Sequence, residues 1–399
     1  MIDTVFFHST KIKIDSNNDL FTTGSFSDDI WSRYTSRSDK FTIVARSELL
    51  DDSSKKNNYN IIDDKSLKFV PVPNISKNLF SFINIKKRLL RNRIIKKQVD
   101  NSSHVICRIP SSTAVYALNY AYKKNKIILV EMVGCIKETL WYKNLLGKFL
   151  SYYSYLSTRN AIKKASCVVY VTKSFLQKKY PFIGDSIGIS DVYIEKANDK
   201  LVLKKIDDLR LKDNRDVFII GSLGTVNAKY KGHHIVIKVL SRLIRNGISN
   251  FQYVIAGGGD NKRLCKLVQK LGLANYVHFS GTIAFEDVPS WLDKLDIYCQ
   301  PSLSEGLPRS VIEAMSRGLP VISSDAGGMP ELIESEMLVS KNNIYNDLYK
   351  KLANLTVDIL VKHSIINLNR SNEYLSTVLD DKRNAFLDTF FFKKTWILF

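Results

Sequence analysis

Short apolar runs bounded by turn residues alternate with stretches of helical period along most of the chain. In the first half the runs are Val5–His8, Phe41–Arg46, Phe69–Val72, His104–Ile109, Ile127–Val133 and Cys167–Thr172. Helical patterns lie between several of them, over Ile83–Gln98, Ser112–Lys124, Leu140–Lys164 and Ser174–Tyr180. The second half predicts strands at Val217–Gly221, Phe251–Ala256, Val277–Phe279, Ile297–Gln300, Val321–Ser323 and Met337–Val339. Its helices are expected at His234–Asn246, Asn261–Leu271, Pro289–Leu295 and Pro308–Arg317. Runs that are apolar throughout and separated by helices are what a parallel sheet covered on both faces requires. A chain of 399 residues is also too long for one ordinary core. The fold class is therefore α/β with two doubly wound domains. The polar stretch Asp191–Asp216 has no sustained strand pattern and marks the boundary. This divides the chain into residues 1–196, 197–375 and a helical tail, 376–399, that can cross back to the first domain. The tail carries "AFLDTFFFKKTWILF" and should dock on something apolar.

Candidate chemistry concentrates in "SLSEGLPRSVIEAMSRGLPVISSDAGGMPELI", residues 302–333. Glu305 stands on a strand-to-helix loop, Pro308 suits the first helical position, and Gly318 is placed to close that helix. The loop thus lies at the carboxyl edge of the sheet, where open α/β sheets bind ligands. A helix start offers free N–H groups and a partial positive charge, which suit a diphosphate. Glu313 falls roughly 7–8 Å further along the helix axis. Two carboxylates so spaced can reach opposite ends of an extended nucleotide-sugar. The plainer alternative makes Glu305 a loop charge and Glu313 a solvated helix residue. Other loops fall where the ligand reading needs them. Gly221-Ser222-Leu223-Gly224 follows the first strand of this domain, and Lys231-Gly232 opens the next helix. Gly257-Gly258-Gly259-Asp260 and Gly281-Thr282 follow the next two strands. Glycines let backbone approach a phosphate or a base, and a lysine can offset diphosphate charge as it develops on the leaving group.

Taken in order, "GSLGTVNAKYKGHHIVIKVL", "YVIAGGGD" and the segment from "VHFSGTIAFEDVPSW" through "AGGMPELI" resemble the donor domain of family 4 glycosyltransferases, over roughly residues 215–340. The resemblance implies a GT-B fold, with two Rossmann-like domains facing a central cleft. It implies retaining transfer from a UDP- or GDP-linked sugar, with no cofactor and no metal. By the same resemblance Glu305 contacts the donor sugar, Glu313 the ribose and Lys231 the diphosphate. Gly224, Gly258, Thr282, Gly306, Leu307, Pro308 and Arg309 complete the donor-binding positions. The family commonly places an arginine directly after the first-strand glycine, as a second phosphate clamp. Ser222 stands there in this chain, with Lys229 or Arg309 as substitutes.

In the first half, Thr22-Thr23-Gly24-Ser25 is the candidate for a glycine loop facing the donor phosphate, or a plain turn. Glu131, in "KIILVEMVGC", takes the place where many relatives carry a histidine beside the reacting sugar. It is either a general base for the acceptor hydroxyl or a structural partner for Arg108. "VVYVTKSFLQKKYP" resembles enzymes that build capsule, exopolysaccharide or O-antigen repeats on polyprenyl-diphosphate-linked saccharides. That implies a cytoplasmic protein, peripheral on the inner face of the membrane.

The formal charge of +20 sharpens this through its distribution. Seven basic residues and no acid lie between Lys86 and Lys97. Eight basic residues and no acid lie between Lys143 and Lys179, interleaved with Trp141, Phe149, Tyr152, Tyr153 and Tyr155. Basic helices with apolar neighbours favour an anionic leaflet or a nucleic acid, unless they are merely a solvated face. A nucleic-acid-binding protein would leave Glu305, Glu313 and the glycine loops unexplained. A nucleotide-sugar epimerase of the same fold would use them but would need no basic aromatic helices. The five scattered cysteines have no zinc-site spacing and read as reduced thiols.

Overall fold

The computed structural model describes residues 1–22, 26, 28–50, 59–63, 66–75, 84–213 and 215–392. Its contacts divide the chain into two units. One gathers Met1–Ile136, Tyr152–Ile189 and the described part of Asp380–Phe399, the other Lys137–Ser151 and Ser190–Leu379.

The first unit holds a nine-stranded sheet: β1 (Asp3–Ile14), β2 (Leu20–Thr22), β3 (Lys40–Leu49), β4 (Asn60–Ile61), β5 (Leu67–Val72), β6 (His104–Ile109), β7 (Ile127–Met132), β8 (Cys167–Tyr170) and β9 (Ser186–Gly188). Parallel pairing runs from β5 through β3, β1, β6, β7 and β8 to β9. Among the described residues, only β2 and β4 are antiparallel, attached at the far end of β1. All six residues of β7 are buried, as a strand covered on both faces requires. Phe6, Phe26, Trp31, Tyr34 and Phe41 form an aromatic cluster in its core, with Phe26 stacked on Trp31 at 5.0 Å.

The second unit is a six-stranded, all-parallel sheet: β10 (Phe218–Leu223), β11 (Phe251–Ala256), β12 (Val277–Gly281), β13 (Ile297–Gln300), β14 (Val321–Ser324) and β15 (Leu338–Val339). Their spatial order is β12-β11-β10-β13-β14-β15. The chain builds outward from β10 in one direction, then jumps back to lay β13 on its other edge. This reversal opens a crevice at the carboxyl ends of β10 and β13, where doubly wound sheets bind their ligands. The covering helices are amphipathic. His233–Arg245 buries Val236, Ile237, Leu240 and Leu243, one stripe at helical spacing.

Several elements differ from the sequence expectation. Leu140–Lys164 is two helices, Ile136–Trp141 and Leu145–Ile162, because the Asn144 side chain accepts from Gly147 N at 2.7 Å and starts a new one. The polar stretch after Asp191 contains a helix, Asp199–Arg210, capped by Asn198 and burying Val202, Ile206 and Leu209. The C-terminal helix, Ser376–Phe391, reaches the first unit from Asp380 onward. There Asp380 pairs with Arg33 at 3.0 Å, Asp388 with Arg37 at 2.7 Å, and buried Phe390 and Phe391 pack on His104.

Candidate active site

At the end of β13, Gln300 is buried, although its side chain is polar. Such a group must be hydrogen-bonded to stay buried. Its Oε1 accepts from Tyr298 OH at 3.0 Å, and its Nε2 donates to Ser302 Oγ and to Glu305 Oε1, both at 3.0 Å. Lys231 Nζ donates to the same Glu305 oxygen at 2.8 Å. The lysine comes from the loop after β10 and the glutamate from the loop after β13, so the pair spans the sheet's switch point. Both side chains are largely withdrawn from water, at 17% and 9% exposure. Burial works against the charge on Lys231, but attraction to Glu305 and the bond between them offset it and raise the lysine's pKa.

The surrounding loops close on this pair. The Lys231 stem lies against Gly224, whose backbone lies against Gly257. A Cβ on Gly257 would fall 2.0 Å from Gly224 O, so only glycine fits that approach. Gly258 neighbours Thr282, with 3.2 Å between the place of its missing Cβ and Thr282 Oγ1. Under the Glu305 loop, Gly328 N donates to Gly306 O at 2.7 Å. Gly327 adopts φ +65°, and a Cβ there would meet Glu305 O at 2.2 Å. The second glycine loop is thus a support for the first.

Leu307 is buried, and Pro308 takes an extended backbone as the N-cap, one place before the helical position expected from the sequence. The helix Arg309–Ser316 starts without a side-chain cap, and with Val311 N bonded to Pro308 O at 3.2 Å, the N–H groups of Arg309 and Ser310 are the ones that can meet an anion. It ends as expected at Gly318, with Leu319 N bonded to Ala314 O and Gly318 N to Met315 O. Glu313 stands on this helix half-buried, and desolvation raises its carboxyl pKa against the pull of Arg309. The structure therefore gathers Lys231, Glu305, Gly224, Gly258, Thr282, Gly306, Leu307, Pro308, Arg309 and Glu313 in one unit. Among the described residues, no three His, Cys, Asp or Glu side chains cluster as a metal site would require.

Similarity to known proteins identifies the family. The family model described as glycosyl transferases group 1 matches residues 200–364. Protein CapJ of Staphylococcus aureus is 31% identical over 386 residues, covering 93% of this chain and 88% of that protein. The chain belongs to the group 1 glycosyl transferases. It is a glycosyltransferase. The amylovoran biosynthesis glycosyltransferase AmsK of Erwinia amylovora is 38% identical over 100 residues, 23% of this chain and 25% of that one. Among solved structures, Anabaena Alr3699/HepE in complex with UDP and glucose superposes with a TM-score of 0.65 at 14% identity, over 98% of this chain and 100% of that one. That likeness shows the GT-B fold.

Ser222, where the resemblance leads to an arginine, is buried and neutral. Its hydroxyl donates to Cys299 O at 2.5 Å and accepts from Tyr253 OH at 2.9 Å, which faces His233 Nδ1 at 3.0 Å. In the first unit, Glu131 lies within β7, not beyond its end. Arg108 donates to its Oε2 at 2.8 Å, Tyr34 OH donates to its Oε1, and the residue is buried. Both oxygens are occupied by structural partners. Gly24 lies outside the described residues. Sequence reasoning missed Gln300 and Tyr298. Their one signal is a polar side chain ending an otherwise apolar strand.

Proposed function

We propose that this glycosyltransferase moves a sugar from a nucleotide-sugar, with retention at the anomeric carbon, onto a lipid-linked saccharide during assembly of a bacterial surface polysaccharide. The observation that carries the donor half is the Lys231–Glu305 pair beside an uncapped helix start at the switch point. The diphosphate lies at that start, with Lys231 meeting the charge that grows on the leaving oxygen. Glu305, oriented by Gln300, takes the donor sugar's hydroxyls, and Glu313 takes the ribose. These groups supply the compensation a divalent metal would otherwise give, so transfer proceeds under chelation. UDP and glucose in the HepE structure support a UDP-linked donor. The name of AmsK supports a role in polysaccharide assembly. Glu131 anchors Arg108 and Tyr34 instead of acting as base. The lipid-linked acceptor is supported by the basic helix Ile85–Asp100 and by Leu145–Ile162, which carries Lys148 and Arg159 without an acid, both with exposed apolar residues.

Three variants test the assignment by separating nucleotide binding from turnover. Glu313→Ala should weaken nucleoside diphosphate binding about tenfold, the worth of one or two hydrogen bonds. Glu305→Ala should leave that binding nearly unchanged and lower kcat about a hundredfold, and Lys231→Ala should do both. Full activity in a Lys231→Ala, Glu305→Ala double variant contradicts the assignment.

A further inference from the structure

Gln300 is 2% exposed, at the end of a strand whose other residues are Ile297, Tyr298 and Cys299. A buried amide costs stability unless its bonds are made, and an apolar side chain would fill that strand end without such a demand. Its direction is fixed by its neighbours. With the oxygen toward Tyr298 and the nitrogen toward Ser302 and Glu305, every contact pairs a donor with an acceptor. The reverse amide would set two oxygens 3.0 Å apart, one of them a carboxylate's. Tyr298 is in turn held from its other side, since its hydroxyl accepts from Leu223 N at 3.1 Å. The hydroxyl's own proton goes to Gln300 Oε1 at 3.0 Å, nearer than Leu223 O at 3.4 Å.

The bonds therefore run from the end of β10, next to the Gly224 that packs on the Lys231 stem, through Tyr298 and Gln300 to Glu305. Lys231 Nζ and Gln300 Nε2 meet the same oxygen, Glu305 Oε1, at 2.8 Å and 3.0 Å. Among the described residues, Glu305 Oε2 accepts no hydrogen bond. The carboxylate thus has one oxygen held by the protein and one left for a ligand. Its two holders are not equivalent. Lys231 is an ammonium on a flexible stem, drawn to any phosphate that arrives. Gln300 is neutral and packed in the sheet, so a phosphate does not draw it away.

We infer that Gln300, fixed in place by Tyr298, is a positioning residue for sugar transfer, an inference resting on the nucleotide-sugar reading of this site. When Lys231 moves to the diphosphate, Gln300 keeps hold of Oε1 and leaves Oε2 for the donor sugar. The lysine changes anions while the carboxylate stays held. Gln300 and Tyr298 act only through Glu305.

A mutant cycle on the full chain tests this. Turnover is read as nucleoside diphosphate released from a panel of UDP- and GDP-sugars with a polyprenyl-diphosphate saccharide present. Calorimetry with UDP and with GDP measures binding in parallel. Gln300→Leu should leave that affinity within about twofold and lower kcat about tenfold, the worth of one hydrogen bond to a charged group. Tyr298→Phe should lower kcat less, about threefold, because the amide still reaches Glu305 but loses its own anchor. In a Glu305→Ala background, Gln300→Leu should lower kcat no further, having nothing left to position. A residue that only supports the fold would cost the same factor in both backgrounds and would weaken binding together with turnover. Gln300→Met, which keeps length without the amide, should match Gln300→Leu and covers the case in which leucine disturbs the strand end. Wild-type kcat in Gln300→Met, or equal losses with and without Glu305, would overturn the role of Gln300 and leave the nucleotide reading standing. No binding of UDP or GDP by wild-type protein would overturn the nucleotide reading, and this inference with it.

Discussion

Glu305 is held by two donors of different kinds, the Lys231 ammonium at 2.8 Å and the neutral Gln300 amide at 3.0 Å. The ammonium can turn toward a phosphate while the amide keeps the carboxylate in place. Behind them the floor is neutral, and His233 belongs to it. Its pKa is about 4 in the fold, first through burial and then through Lys231, against 6.5 for a free imidazole. Between those values the unfolded chain binds a proton that the folded chain refuses, so stability rises with pH across the window. The stability is therefore present above about pH 6.5 and is lost as pH falls toward 4. His233→Gln should flatten the fall of melting temperature over that range, leaving the share due to His234, which burial also lowers to about 4. Equal slopes in variant and wild type would show that His233 titrates normally. Lys231, Glu305 and Glu313 were legible in the sequence because each stands at a strand end or at helical spacing. Gln300 was not, since nothing local says that its amide turns toward a loop five residues on.

At the scale of elements, some apolar runs were legible to the residue, whereas Val5–His8 and Phe41–Arg46 lie within the longer strands Asp3–Ile14 and Lys40–Leu49. His104–Ile109, Phe251–Ala256 and Ile297–Gln300 have the bounds read from periodicity. The two- and three-residue strands β2, β4 and β9 were not, because so short a segment has no period. The helix Asp199–Arg210 was hidden by charges that outnumber its three buried residues, and Ile344–Ala353 and Val357–Ser371 were not read at all. The basic helices were legible as charge but not as orientation. Arg91 turns inward, buried over Tyr116, whereas Lys86, Lys87, Arg93 and Lys97 stay exposed beside Ile85, Leu89 and Leu90. On Leu145–Ile162, exposed Leu145, Phe149, Tyr152, Tyr153 and Leu156 share one face, with Phe149 76% and Tyr153 73% exposed. Apolar side chains so placed among cations suit an anionic bilayer, where each Lys or Arg contributes on the order of 1 kcal/mol. Wild-type protein should co-sediment with vesicles containing phosphatidylglycerol and not with pure phosphatidylcholine. Replacing Lys86, Lys87, Arg93 and Lys97 by Glu should weaken that binding at least about tenfold and spare nucleotide binding. Wild-type protein left in the supernatant at low salt would make these helices solvated faces.

For the whole molecule, alternation of strand and helix was enough to specify two parallel sheets, because only flanking helices can cover apolar strands on both sides. It could not reveal that Lys137–Ser151 groups with the second unit, whereas the tail, read as able to cross back to the first domain, groups with it from Asp380 onward. Those are long-range packings, set by contacts such as Asp380–Arg33 and not by local period. No helix among the described residues is long and apolar enough to cross a membrane. The central claim is that the chain joins a donor sugar to a lipid-linked saccharide by means of its own charges. It is tested most directly by mass spectrometry of purified protein with a panel of UDP- and GDP-sugars and a polyprenyl-diphosphate saccharide, in excess EDTA. The account predicts that one donor adds a single sugar mass to the lipid acceptor and releases its nucleoside diphosphate. Conversion of the nucleotide-sugar with no mass added to the acceptor, or transfer that appears only when magnesium or manganese is restored, would contradict it.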